Sequence, residues 1–340
     1  MNKNHFKFID LFAGMGGMRI PFENLGGECV FSSEWDKYAA KIYEENFGEF
    51  PTGDITKIDA EDIPDHDVLL AGFPCQAFSI IGKMNGFQDT RGTLFFDVER
   101  ILRIKRPAGF LLENVKMLVG HKRGVTFNVI INRLQALGYF VNWKVLNALD
   151  FGLPQKRERV FIAGFLKDYD FHFPKGSPGK FKPLSEILEK NVPKKYYASE
   201  HITKKRRLAH TPQCTPSIWH ENKCGHISAY PFSCALRANA SYNYLLVNGK
   251  RRLTPRECLR LMGFPDSFKI IGNDSQMRKL TGNSVCVSVV EAVAKEIIRC
   301  LSGRAALKTK ALPANAIQIG FQFEDSERNR IDNNLSVSNA

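Results

Sequence analysis

A chain of 340 residues with 44% apolar content is long enough for a large domain plus a smaller one, and too apolar to be an unfolded chain. No run approaches the ~18–20 apolar residues of a membrane span, and the start MNKNHFKFIDLF lacks the apolar region of a secretory signal, so a soluble, cytoplasmic protein is expected. The net charge of +13 is unevenly placed: residues 166–257 hold 17 Lys and Arg against 7 Asp and Glu, a local +10 that a polyanion such as nucleic acid would select, although a solvated basic face is the plainer alternative.

In chain order, KFIDLF (7–12) reads as a strand running into AGMGG and a helical segment that stops near Gly26, with Pro21 early in that helix. ECVFSSE (28–34) is a second strand and DKYAAKIYEENF (36–47) a helix. DVLLAG (67–72) and GFLLEN (109–114) are strand-like, separated by a helix in TLFFDVERILRIKRP that ends at Pro107. VTFNVIINRLQALG (125–138) is an amphipathic helix closed by Gly138, and VNWKVLNA (141–148) and VFIAGF (160–165) complete the strands. This alternation predicts an α/β fold, a doubly wound and mostly parallel sheet with helices on both faces. From 166 to 250 no period persists, which predicts a second, smaller, loop-rich domain. Helical signals return at 254–265 and 284–301, and the polar end beyond about 306 reads as a flexible tail.

Four constellations carry chemistry. In DLFAGMGG (10–17) glycines follow a strand and open a helix, but Arg19 stands where a dinucleotide fingerprint needs its third glycine, so a nucleoside cofactor without a pyrophosphate fits better. Glu34 ends the second strand, where an acid binds ribose hydroxyls; Trp35 can stack on a purine and Asp54 can accept from an adenine amino group. In VLLAGFPCQAFS (68–79) the strand ends at Gly72 and Cys75 follows Pro74, at the carboxyl edge where open α/β sheets bind ligands. A thiol there reads as a nucleophile, against the plainer reading of an inert buried cysteine. In FLLENV (110–115), Glu113 ends an apolar strand, and desolvation would raise its pKa toward that of a proton donor. In FGLPQKRERVF (151–161), Arg157 and Arg159 are expected on one face of a strand, able to orient a carbonyl or an anion.

Taken in order, FxGxGG, the acid–Trp pair, GDI, PCQ, ENV, QxRxR and the late GNSV resemble the C5-cytosine DNA methyltransferases, most closely the modification methylases of bacterial type II restriction systems, over residues 7–165 and about 250–300. DTRGTLFFDV (89–98) and NGKRRLTPREC (248–258) also read like segments of that family. The resemblance implies the S-adenosylmethionine-dependent methyltransferase fold, with a catalytic, cofactor-binding domain at 1–165 plus 258–305, a target-recognition, DNA-binding domain at 166–257 and the tail at 306–340. It implies Cys75 as nucleophile at cytosine C6, Glu113 donating toward N3, Arg159 on the cytosine O2 and Arg157 supporting the site. It places S-adenosylmethionine against Phe12, Gly14, Gly16, Glu34, Trp35, Asp54, Leu94, Asn283 and Val285, with GNSV packed beside the first strand. Double-stranded DNA would be contacted by Gln76, Ser79, Arg91, Arg237 and Arg252, with the target base flipped out and the 82–92 loop closing over it. A monomer paired with a restriction endonuclease and needing no metal is the expectation.

Other readings stay open at this point. One branch of the family methylates transfer RNA. A non-catalytic DNA-binding protein on the same fold would lack one of Cys75, Glu113 or Arg159. A nicotinamide oxidoreductase fails on the missing glycine, and a thiol-dependent hydrolase needs a base beside Cys75. The eight cysteines form no CxxC pair, and the WHENKCGH stretch (219–226) fits no common zinc spacing.

Overall fold

The computed structural model describes residues 5–74 and 94–308. A six-stranded sheet organises the chain: β1 (Phe6–Leu11), β2 (Gly27–Ser33), β3 (Val68–Ala71), β4 (Gly109–Val115), β5 (Phe140–Asn147) and, after the short β6 (Gln155–Lys156), β7 (Glu158–Phe165). Its spatial order is β2-β1-β3-β4-β7-β5. Pairings β2-β1, β1-β3 and β3-β4 are parallel, and β7 runs antiparallel to both β4 and β5, so the sheet is mostly parallel, as expected. Every residue of β3 and the first six of β4 are buried, which is why VLLA and GFLLEN read as unbroken apolar runs rather than alternating ones.

The helices between these strands are α1 (Arg19–Asn24), α2 (Lys37–Phe47), α3 (Phe95–Lys105), the single turn α4 (Met117–Gly120) and α5 (Val125–Ala136). One face of the sheet packs on Val98, Ile101, Phe127, Ile130 and Leu134 of α3 and α5. The other takes Phe22 of α1, Ala39 and Ile42 of α2, and Val290, Val293 and Ile297 from the C-terminal helix. Register sets the working edge. Leu11 pairs with Ser33 and Ala71, and Ala71 with Leu112, so four parallel strands end together and their connecting loops gather there. The order reverses at β1, between β2 and β3, which opens a crevice at that edge.

Residues 166–257 are more regular than expected. They contain α6 (Leu184–Ile187), α7 (Glu200–Ala209), β8 (Ile218–Glu221), β9 (Ile227–Tyr230), β10 (Ser233–Cys234) and β11 (Leu245–Val247). β11, β8 and β9 form an antiparallel three-stranded sheet around the buried Trp219, and β10 pairs with β6. Strands of two to four residues are too short to show a period, and α7 (EHITKKRRLA) carries too few apolar residues to show a stripe.

After Thr254, whose side chain closes a capping box with Glu257, come α8 (Pro255–Leu261), α9 (Asp274–Asn283) and α10 (Val287–Leu301). The expected flexible tail needs one correction: its first residues, 306–308, are pinned, with Leu307 bridging Tyr169 and Lys308 N donating to Asp168 O. No helix among the described residues is long and apolar enough to cross a membrane.

Candidate active site

The loop leaving β1 turns sharply: Phe12, Gly14 and Gly16 all have positive φ, and Gly16 N donates to Ala13 O. A side chain on Gly16 would force the Phe47 ring to shift, since a Cβ would lie 2.2 Å from it. Glu34, just past β2, closes this loop: Gly14 N donates to its Oε2 at 2.8 Å and Asp36 N to its Oε1 at 2.7 Å. Burial raises its pKa against the lowering effect of those two N–H donors. Trp35, beside it, is 78% exposed. Asp54 accepts at Oδ1 from Thr56 N and Oγ1, and the strand end at Ser33 is tied to its neighbour Gly53. Leu94 caps α3, whose Arg100 donates to Ile55 O next to Asp54.

The late segment joins from the far end of the sequence. A Cβ on Gly17 would meet Ser284 Oγ at 2.9 Å and Val285 Cγ2 at 3.0 Å, while Lys279 on α9 pairs with Asp36. Asn283 is exposed at the end of α9 and Val285 is buried against the glycine loop. Gly14 N is thus taken by Glu34 and Gly16 N by Ala13 O, Val285 packs on Gly17, and Trp35 and Asn283 remain exposed at this edge.

Next along the edge, β3 ends and the chain passes through Gly72, Phe73 and Pro74. Cys75, Gln76, Ser79, Arg91 and the rest of the 82–92 loop lie outside the described residues. What precedes Cys75 is firmly held, because Asn114 Nδ2 donates to Phe73 O at 2.8 Å, both groups buried. Gly72 faces Glu113, with a Cβ there only 3.8 Å from Oε2. Glu113 is 7% exposed. Its Oε1 lies 3.1 Å from Arg159 Nε, yet without the alignment of a hydrogen bond. The antiparallel register pairs Glu113 with Phe161 and Val115 with Arg159, so the acid and the arginine are diagonal neighbours on one face. Burial raises the Glu113 pKa more than Arg159, and then Arg157, lower it.

Arg157 departs from expectation. It sits between β6 and β7, not on the face of a strand shared with Arg159, and it is 2% exposed. Its Nη1 donates to Leu236 O at 2.8 Å and its Nη2 to Gly282 O at 3.0 Å and Ser284 O at 2.6 Å. Burial, then the adjacent Arg159 cation, pulls its pKa down to about 10.

The two arginines expected on DNA differ. Arg237 is exposed, its guanidinium over the Tyr244 ring. Arg252 is half-buried over Tyr242 and donates to Lys195 O and to Asn243 Oδ1, so its hydrogen bonds brace the loop.

The crevice and the Glu113–Arg159 pair fit a protein family seen along nearly the whole chain: the family described as C-5 cytosine-specific DNA methylase matches residues 6–299. The chain belongs to that family. It is 58% identical over 300 residues to the type II methyltransferase M.HaeII of Haemophilus aegyptius, covering 87% of this chain and 94% of that protein. It is likewise 58% identical over 294 residues to M.NgoBI of Neisseria gonorrhoeae, covering 85% and 92%. The fold superposes on the Entamoeba histolytica methyltransferase EhMeth with a TM-score of 0.69 at 21% identity, over 88% of this chain and 99% of that one. The methylase is thus an S-adenosylmethionine-dependent DNA (cytosine-5-)-methyltransferase of restriction–modification type.

Several contributors escaped sequence reasoning. Asn114, beside Glu113, carries no sequence signal of its hydrogen bond to Phe73 O. Asp10, 1% exposed with Oδ2 lacking a partner, has a pKa raised by burial; a charged residue inside the apolar run FIDLF was the available signal. Arg19, read only as a missing glycine, is buried between Glu23 and Glu49 and lies over the Phe47 ring. Gln155 gave no signal, because its partners are 81 and 106 residues away.

Proposed function

We propose that this methylase flips a cytosine out of duplex DNA at a short specific sequence and modifies its C5 through a covalent adduct between Cys75 and C6. The Cys75 thiolate adds to C6 while Glu113 gives a proton to N3, which leaves C5 enamine-like. Arg159 holds the cytosine O2, and Arg157 fixes the backbone around it. Phe12, Gly14, Gly16, Glu34, Trp35, Asp54, Leu94, Asn283 and Val285 would hold S-adenosylmethionine, which would supply an electrophilic methyl to C5. Loss of the C5 proton, return of the N3 proton to Glu113 and departure of the Cys75 thiolate then restore the ring.

The observation that carries this reading is the buried carboxyl of Glu113. It lies against Arg159 and beside Gly72, three residues before the proposed nucleophile. A carboxyl whose pKa is raised by desolvation suits donation to a ring nitrogen, and a stacked base could not reach it. Residues 166–257 form the DNA-reading domain in this reading, with 1–165 and 258–305 as the catalytic domain. Gln76, Ser79, Arg91 and Arg237 contact DNA, and Arg252 does so or braces the loop that does. The protein acts as a cytoplasmic monomer and protects host DNA from a partner endonuclease.

The test is incubation with S-adenosylmethionine and unmethylated genomic DNA, followed by mapping of modified cytosines at single-base resolution. Methylation confined to one short motif is expected. Unmodified DNA alongside methylated transfer RNA would overturn the DNA assignment.

A further inference from the structure

Leu236 is buried just before the exposed Arg237, and both of its backbone polar groups are taken by side chains from the segment that leads to Arg159. Leu236 N donates to Gln155 Oε1 at 2.9 Å, and Leu236 O accepts from Arg157 Nη1 at 2.8 Å. Each clamping residue has a second anchor. Gln155, fully buried, donates through Nε2 to Leu261 O at the end of α8. Arg157 donates to Gly282 O and Ser284 O, on either side of Asn283. The two backbones touch directly as well: a Cβ on Gly282 would stand 2.3 Å from Ala238 N.

The loop that follows Leu236 is set by this anchor and held along its length. Arg237 N donates to Tyr244 Oη, Arg278 donates to Ala240 O and Ser241 O, and Arg252 donates to Asn243. Arg237, Asn239, Ser241 and Tyr242 stay exposed on it. A planar guanidinium holding three carbonyls from distant segments cannot follow a shift in one without releasing another.

We propose that Gln155 and Arg157 are positioning residues forming a clamp on Leu236, which ties the seating of the 237–243 loop on DNA to the placement of Arg159 and of the 282–285 segment. This deepens the DNA-methylating reading and rests on it. A wrong sequence that displaces the loop pulls Leu236 off the clamp and disturbs the site two residues beyond Arg157. Discrimination between sequences thereby reaches the chemical step as well as binding.

The test uses Gln155→Met, which keeps the volume and removes the side-chain hydrogen bonds to Leu236 N, Leu261 O and Met262 Sδ, with Arg157→Lys as the second variant should the first not fold. Turnover is measured at the mapped target sequence and at duplexes differing from it by one base pair. S-adenosylmethionine affinity is measured by titration, and amide hydrogen exchange is followed at 236–238 and 282–285. The expected result is a cognate to near-cognate ratio of kcat/KM lowered about tenfold, cofactor affinity within about twofold, and faster exchange in both segments. An unchanged ratio, or faster exchange at 236–238 alone, overturns the clamp. Should the unaltered protein leave DNA unmethylated, the DNA reading falls, and the exchange measurement by itself decides whether the two segments are coupled.

Discussion

Arg159 holds its Nε 3.1 Å from Glu113 Oε1 and still does not bring that carboxyl down to the usual carboxylate range, because burial outweighs both neighbouring arginines. Glu113 therefore holds its proton to higher pH than an exposed glutamate would. Replacing it with glutamine should lower kcat by about 10²–10⁴-fold while DNA and cofactor binding persist. The linkage has a definite sign. A carboxyl whose pKa is raised in the folded state costs nothing below its unfolded value, near 4.5, and destabilises the fold as pH rises through the raised value. Glu113→Gln should then match the parent protein in thermal unfolding near pH 4.5 and become the more stable of the two as pH rises. A difference that shrinks with rising pH would show that Glu113 is held as a carboxylate.

Cys75 follows a backbone fixed by the Asn114–Phe73 hydrogen bond. Cys75→Ala should abolish methyl transfer and leave duplex DNA and S-adenosylmethionine affinities largely intact. Trapping by a mechanism-based cytosine analogue in DNA, read as a denaturation-resistant complex on a gel, should vanish in the same variant. Turnover by Cys75→Ala would remove the thiol from the mechanism.

The sheet was legible because strands buried on both faces write themselves as apolar runs, and Glu34 and Gly72 sit just past the strands they follow, whereas Glu113 lies inside β4, which continues to Val115 instead of ending at the acid as expected. The 200–247 region was not legible, since strands of two to four residues and a helix with four consecutive cations show no period. The expected face shared by Arg157 and Arg159 fails for another reason. Spacing by two implies a shared face only inside a strand, and the chain breaks between β6 and β7 at that residue. Gln155 acts through partners distant in sequence, which local pattern does not record.

Gly16 and Gly48 allow backbone conformation to be separated from crowding, because both have φ +76°, but only Gly16 faces another side chain, the Phe47 ring, within 4 Å. Gly48→Ala should cost roughly 1 kcal/mol for the left-handed backbone alone. Gly16→Ala should cost about 1–3 kcal/mol more, since Phe47 is also packed under Arg19. Only Gly16→Ala should weaken S-adenosylmethionine binding in a titration. Equal losses of stability for the two variants would mean that the Phe47 ring swings aside freely.

The basic stretch divides into cations that hold the fold and cations that remain exposed. Arg206 is buried on Glu221, and Lys195 pairs with Asp274. Lys204, Arg207 and Lys250 are exposed and form no ion pair among the described residues, and Arg207 and Lys250 line one open hollow of about 380 Å3 with His210 and Trp219. If these three neutralise DNA phosphates, binding falls steeply with salt, and the slope of log K against log salt loses about 0.9 for each contact removed. Lys204→Gln, Arg207→Gln and Lys250→Gln combined should flatten that slope by between two and three units and weaken all sequences alike, leaving the preference for the target motif in place. Arg206→Gln should act differently, lowering the unfolding temperature because it strips a buried partner from Glu221. An unaltered slope in the triple variant would move the DNA track away from α7 and toward the exposed side of the 237–243 loop.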